Sequence, residues 1–253
     1  MSISGGDAAF LVAAGALAGV AGTAGGVASL VSYPALLLVG LGPLPANVTN
    51  LVALLSVGAG STLASRPELA GQRRALRRWT PVCAVGGTLG GVLLLVTPGA
   101  VFDWVVPFLV AGAALVMVAQ PRITAWHSSR ERQHTDTMLV IAVLGISIYS
   151  SYFGAGSGIM MLAAFLVLAR QELSRANALK NTLTPITNVI PAAIFAAEGR
   201  VVWAAAAALA AGAFAGGTFG PKIVRRSPER PLRWAIGVCG LALTGWLIAN
   251  AAG

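Results

Sequence analysis

Lys180 lies inside an apolar run with a polar stripe around it: Asn177, Asn181, Thr184 and Asn188 recur at intervals of four, three and four residues, a spacing that lines one face of a helix. An ammonium, three carboxamides and a hydroxyl can all donate hydrogen bonds to a negatively charged solute, and no carboxylate stands among them. The chemistry they suit is anion binding. A related pattern sits 130 residues earlier, where Asn47, Thr49 and Asn50 open another apolar run, with Ser56 deeper in it. Two other readings stay open: these groups can serve as interhelical hydrogen bonds, and Lys180, one turn into its segment, can snorkel its charge to the interface.

Two glycine clusters interrupt apolar runs, Gly22-Thr23-Ala24-Gly25-Gly26 and Gly154-Ala155-Gly156-Ser157-Gly158. Glycine weakens a helix by up to about 1 kcal/mol per residue relative to alanine, so each cluster predicts a break. Irregular backbone at membrane depth is tolerated only where protein or a water-filled cavity surrounds it. Half-helices starting near Val27 and Ile159 would therefore aim free N–H groups and partial positive charge into the interior, which suits an anion. The candidate substrate-binding set is Gly25, Gly26, Asn47, Thr49, Asn50, Gly154, Gly156, Ser157, Gly158, Asn177, Lys180, Asn181, Thr184 and Asn188. The competing reading of the glycines is close helix packing, which is favoured for GGTLG (86–90) and GGTFG (216–220).

What is missing also narrows the chemistry. All eight acidic residues (Asp7, Glu68, Asp103, Glu131, Asp136, Glu172, Glu198 and Glu229) fall in termini or connections, and His127 and His134 sit in the central loop. No catalytic residue, metal cluster or cofactor is expected, and neither a proton relay nor a carboxylate-bound sodium ion. Ser157 beside glycines resembles a membrane-protease nucleophile, but Lys180 is its one candidate base, and a nucleophile needs a base within hydrogen-bond reach.

The elements that must position these groups follow from composition. Hydrophobic residues make up 57% of the 253-residue chain against 10% charged, and mean hydropathy is +0.80, which sets the chain apart from soluble domains. Apolar segments at about 8–40, 44–64, 78–97, 101–119, 137–169, 176–197, 201–219 and 231–250 have the length of helical bilayer crossings. The reading is an all-α, multi-pass integral membrane protein with the lipid bilayer as its surroundings. The net charge of +9 resides in the connections, where it encodes topology rather than nucleic-acid binding. No cleavable leader is expected, since the first ten residues hold no Lys or Arg and include Asp7. Cys83 and Cys239 fall inside expected helices as small packing residues, not as a disulfide.

Sliding the chain by 130 positions lays GGTLG on GGTFG, Trp104 on Trp234, Ala46-Asn47 on Ala176-Asn177 and Gly26 on Gly156, so the chain reads as a duplication. Equivalent connections carry opposite charge bias. Connection 65–78 holds Arg66, Arg73, Arg74, Arg77 and Arg78 against Glu68, while its counterpart 198–202 has Glu198 and Arg200. Connection 98–104 has only Asp103, while 220–233 holds Lys222, Arg225, Arg226, Arg230 and Arg233 against Glu229. Basic loops face the cytoplasm, so the halves are expected to be inverted-topology repeats, an arrangement of many secondary transporters. With 65–78, 120–136 and 220–233 all inside, segment 137–169 must start and finish in the cytoplasm. A pair of half-helices meets that condition. Each repeat then reads as a glycine-broken re-entrant helical hairpin plus three transmembrane helices: 1–120 as the first repeat, 121–136 as a cytoplasmic basic linker and 137–253 as the second.

The sequences RANALKNTLTPITNVIPAAIFAAEGRVVW (175–203) and AGGTFGPKIVRRSPERPLRWAIGVCGLAL (215–243), behind two glycine-rich breaks, resemble the sulfite exporter TauE/SafE family of membrane transporters over roughly 8 to 249. The resemblance implies transport of sulfite, organosulfonates and related sulfur-containing anions across the cytoplasmic membrane, often as export. It implicates Gly25, Gly26, Tyr33 and Pro34 in the first half and Gly154, Gly156, Gly158, Asn177, Lys180 and Asn181 in the second. Ser157 departs from the pattern, as does the lack of a counterpart to Pro34 in 159–169. The sequence points to alternating access by a carrier in a bacterial cytoplasmic membrane, with a passive anion channel as the alternative. It leaves open the particular anion, the direction, any coupling ion and whether the protein forms a homo-oligomer.

Overall fold

The structure is a computed structural model that describes residues 3–126 and 136–224. The expected span 231–250, most of the basic linker, both histidines, Cys239, Glu131 and Glu229 lie outside the described residues. The described chain consists of ten α-helices: α1 (Gly5–Gly25), α2 (Ser29–Leu38), α3 (Pro43–Ala64), α4 (Arg66–Leu69), α5 (Arg73–Val96), α6 (Gly99–Trp126), α7 (Asp136–Tyr152), α8 (Ser157–Val167), α9 (Leu173–Ala197) and α10 (Trp203–Val224). Of these, α1, α3 and α5 each contain a stretch long and apolar enough to cross a bilayer.

Local chemistry sets the helix ends. Ser4 caps α1, its Oγ accepting from the Asp7 N–H at 3.1 Å while the Asp7 carboxylate accepts from the Ser4 N–H at 3.1 Å, a reciprocal box of the kind that stabilises a helix start by about 1 kcal/mol. Gly26 ends α1 with φ +73°, and Gly156 precedes α8 with φ +75°, a left-handed conformation that costs a residue with a Cβ. α3 begins at Pro43, whose missing N–H would be without an intrahelical partner there anyway.

The breaks are narrower than the glycine clusters. Gly22 and Gly25 remain helical, and the chain turns only at Gly26. Each hairpin therefore has unequal arms, which corrects the expectation of paired half-helices. α1 has 21 residues and α7 has 17, or about 30 and 25 Å at 1.5 Å per residue. α2 and α8, with 10 and 11, reach only about 15 Å. The short arms begin at Ser29 and Ser157, within two residues of the expected starts. The basic connection 65–78 is also shorter than expected, because Arg73, Arg74, Arg77 and Arg78 form the first turns of α5.

The 130-residue shift maps α1 onto α7, α3 onto α9 and α5 onto α10. Packing follows the same map with partners exchanged: α1 lies on α10 and α7 on α5, while α10 lies on α3 and α5 on α9. α3 and α9 meet each other. Such an exchange is what a two-fold operation relating the halves produces. It extends to single residues. A Cβ on Gly87 would overlap the Thr187 carbonyl, and one on Gly217 would meet the Val57 carbonyl at 2.9 Å. Both glycine motifs thus serve close packing, as does the Gly15/Gly19 stripe of α1 against Gly212/Gly216 of α10.

The two hairpin tips touch. A Cβ on Gly26 would fall 2.6 Å from the Gly158 Cα, so the backbones meet with no side chain between them. Phe153 fixes the second tip by an edge contact with Tyr33 of α2 (5.3 Å) and a tilted contact with Phe102 of α6 (6.4 Å between centroids).

The packing roles of the glycines are separable by substitution. Gly87→Ala should lower the thermal midpoint of the purified protein by the equivalent of about 1–3 kcal/mol of overpacking. Gly145→Ala, in α7 with nothing within 4 Å of the added methyl, should leave it unchanged or raise it by up to about 1 kcal/mol.

Candidate functional site

Where the tips meet, a cavity of about 90 Å³ opens between α3 and α9. It has room for a few waters or one small polyatomic solute. Nine of the fourteen sequence-derived candidates border it: Gly26, Asn50, Gly154, Ser157, Gly158, Lys180, Asn181, Thr184 and Asn188. Among the described residues, Lys180 is the single charged one lining it.

Lys180 does not snorkel. It is 2% exposed, and its Nζ donates to the carbonyls of Gly22 (3.1 Å) and Thr23 (3.4 Å) at the C-terminal end of α1. A helix end leaves carbonyls without intrahelical donors and carries partial negative charge, so a cation there is favourable. The expectation of a lysine with no local counter-charge is therefore too simple: the end of α1 offsets part of it. An ammonium has three protons, and two carbonyls leave one for the cavity.

The short arms contribute backbone. The first-turn N–H groups that lack intrahelical acceptors belong here to Ser29 of α2 and Gly158 of α8, and both residues border the cavity. Ser157 Oγ donates to the Gly154 carbonyl at 2.8 Å and lies 3.2 Å from Ser150 Oγ. In the first half the position matching Lys180 is Asn50. Its Oδ1 accepts from Ser32 Oγ at 2.5 Å and its Nδ2 donates to Ser29 Oγ at 3.2 Å.

Prolines shape the wall formed by α9. Pro185 provides no N–H for the Asn181 carbonyl, which instead accepts from Ser61 Oγ and Thr62 Oγ1 of α3, each at 3.5 Å. The Asn181 amide donates to Ser65 Oγ at 3.4 Å. Pro191 likewise frees the Thr187 carbonyl, which lies 3.3 Å from Ser151 Oγ, a hydroxyl also 2.8 Å from Asn188 Oδ1. Gly58 gives α3 the room to approach Pro185, since a Cβ there would overlap its ring.

Five candidates do not line the cavity. Asn47 Nδ2 donates to the Tyr152 carbonyl at 2.8 Å, closing the end of α7. Thr49 Oγ1 accepts from the Val202 N–H at 3.1 Å and fixes the α9–α10 connection. Asn177 Nδ2 reaches the Thr23 carbonyl at 3.5 Å beside Lys180. Gly156 packs on Ala113 of α6, and Gly25 is the last residue of α1. Conversely, Ser29, Ser61, Ser150, Gly58 and Pro185 line the cavity without having been singled out. Ser29, three residues after Gly26, was the most readable of them. Two buried oxygens have no hydrogen-bond partner among the described residues, Thr184 Oγ1 and Asn177 Oδ1. Buried polar atoms are normally paired, so each has capacity for a further partner.

The family model described as "Sulfite exporter TauE/SafE" matches residues 8–247. The chain is 27% identical over 249 residues to "Probable membrane transporter protein ORF9" of Sinorhizobium sp., covering 96% of this chain and 92% of that protein. It is 23% identical to a "Probable membrane transporter protein" of Haemophilus influenzae, covering 95% and 94%, and 24% identical to "Probable membrane transporter protein YfcA" of Escherichia coli K12, covering 94% and 88%. No solved structure matches the chain.

The hydrogen-bond inventory predicts opposite outcomes for two neighbours in α9. Lys180→Met should destabilise the ligand-free protein by about 1–3 kcal/mol, because the Gly22 and Thr23 carbonyls lose a charge-assisted donor. Thr184→Val, which replaces an unpartnered hydroxyl with a methyl of similar shape, should leave stability unchanged or raise it by about 1 kcal/mol. Thermal unfolding of the two purified variants against wild type reads both.

Proposed function

Because the chain belongs to the sulfite exporter TauE/SafE family, we propose that it is a secondary transporter moving a small anion, sulfite, an organosulfonate or a related sulfur-containing anion, across the bacterial cytoplasmic membrane. Its class as a membrane transporter rests on the family and on the names of its relatives. The observation that carries the anion is Lys180: a lysine 2% exposed, bordering a cavity with no carboxylate among the described residues that line it. The starts of two short helices border the same space and add N–H groups.

Transport is by alternating access, with export as its direction. On this reading the two halves are inverted in the membrane and the substrate sits at the interface of the repeats, which the meeting of α3 and α9 between the exchanged pairs supports. Charge supports the inversion, since equivalent connections carry opposite bias and basic connections stay in the cytoplasm. A channel would need a continuous water path, whereas the cavity is small enough to enclose one solute.

Reconstitution into liposomes tests the reading. Wild type should carry radiolabelled sulfite with saturable kinetics, and Lys180→Ala and Asn181→Ala should each reduce the rate at least about tenfold while still inserting, the loss of roughly one charge-assisted contact. Thr184→Val should weaken anion-dependent thermal stabilisation. Undiminished flux in both α9 alanine variants would remove Lys180 and Asn181 from the site. Topology has its own check. In a protein lacking Cys83 and Cys239, cysteines at Ala75 and Ser227 should be labelled from the same side of the membrane.

A further inference from the structure

We infer that the cavity is matched to one negative charge, so that it takes a small monoanion and rejects a dianion of the same shape. The inference rests on the anion-transport reading and goes beyond it to valence. Four helix ends meet at the tips: the C-terminal ends of α1 and α7 and the N-terminal ends of α2 and α8. Each end is worth about half an elementary charge, negative at a C-terminus and positive at an N-terminus. A hairpin supplies one of each, so both hairpins are close to neutral as units.

What remains is Lys180, the one charged residue among the described residues that line the cavity. The other polar groups there, among them Asn50, Ser157, Asn181 and Thr184, are neutral. They can orient oxygens but cannot neutralise a second charge. A monoanion beside Lys180 completes an ion pair. A dianion leaves one unit uncompensated in a buried site, and an unpaired buried charge is strongly unfavourable. The size of the cavity, about 90 Å³, suits a compact head such as a single sulfur oxoanion.

Three probes separate charge from shape, because dimethyl sulfone, methanesulfonate and sulfate are tetrahedral sulfur compounds of similar size carrying zero, one and two negative charges. Calorimetric titration of the purified wild-type protein at neutral pH should find methanesulfonate bound tightest, with sulfate and the sulfone each weaker by at least about tenfold. Sulfate binding as tightly as methanesulfonate would overturn the match to one charge and leave the anion-transport reading standing. Dimethyl sulfone binding as tightly as methanesulfonate, or none of the three binding, would overturn this cavity as an anion site and the charge match with it.

Discussion

A helix end buried in a protein leaves carbonyl and N–H groups that must find partners there, and the interior of this protein is arranged around that constraint. α1 ends where Gly26 turns the chain, and the Thr23 carbonyl receives Lys180 and Asn177 from the opposite half. α7 ends where the Tyr152 carbonyl receives Asn47, again from the opposite half. Each half therefore completes the broken helix of the other. The same side chains that a sequence reader assigns to a ligand are, in part, what allows the irregular backbone to be buried.

The correspondence between the halves is close in backbone and loose in chemistry. Gly26 and Gly156 share a left-handed φ, and Gly87 and Gly217 occupy equivalent crevices. Yet the cation of one half has an amide for its counterpart, Asn50, whose hydrogen bonds stay within its own half. Exchanged packing fixes where the helices lie. It leaves side chains free to differ, and here the charge sits on one side of the cavity only.

Much of this was legible in the residues. Hydropathy located the helices because apolar length is set by the membrane, and the glycine clusters located the breaks because few other residues tolerate them. The unequal arms were not legible, since nothing in the run GTAGG distinguishes a glycine that stays helical from one that turns. Within the site, Lys180, Asn181 and Thr184 reach the cavity while Asn47 and Thr49 do not. All five are polar residues in apolar segments, and their difference lies in which helix crosses at which level. That information belongs to tertiary packing. Ser61 and Thr62 were equally hidden, because their role depends on a proline in another helix.

That proline pattern has a mechanical side. Pro185 and Pro191 remove two rungs from the ladder of α9, and the corresponding helix α3 has no proline beyond its first turn. Borrowed hydroxyls at 3.3 to 3.5 Å replace those rungs with longer, weaker ones. Two rods matched in position are thus unmatched in compliance, and under an equal load the second flexes first, next to the lysine it carries.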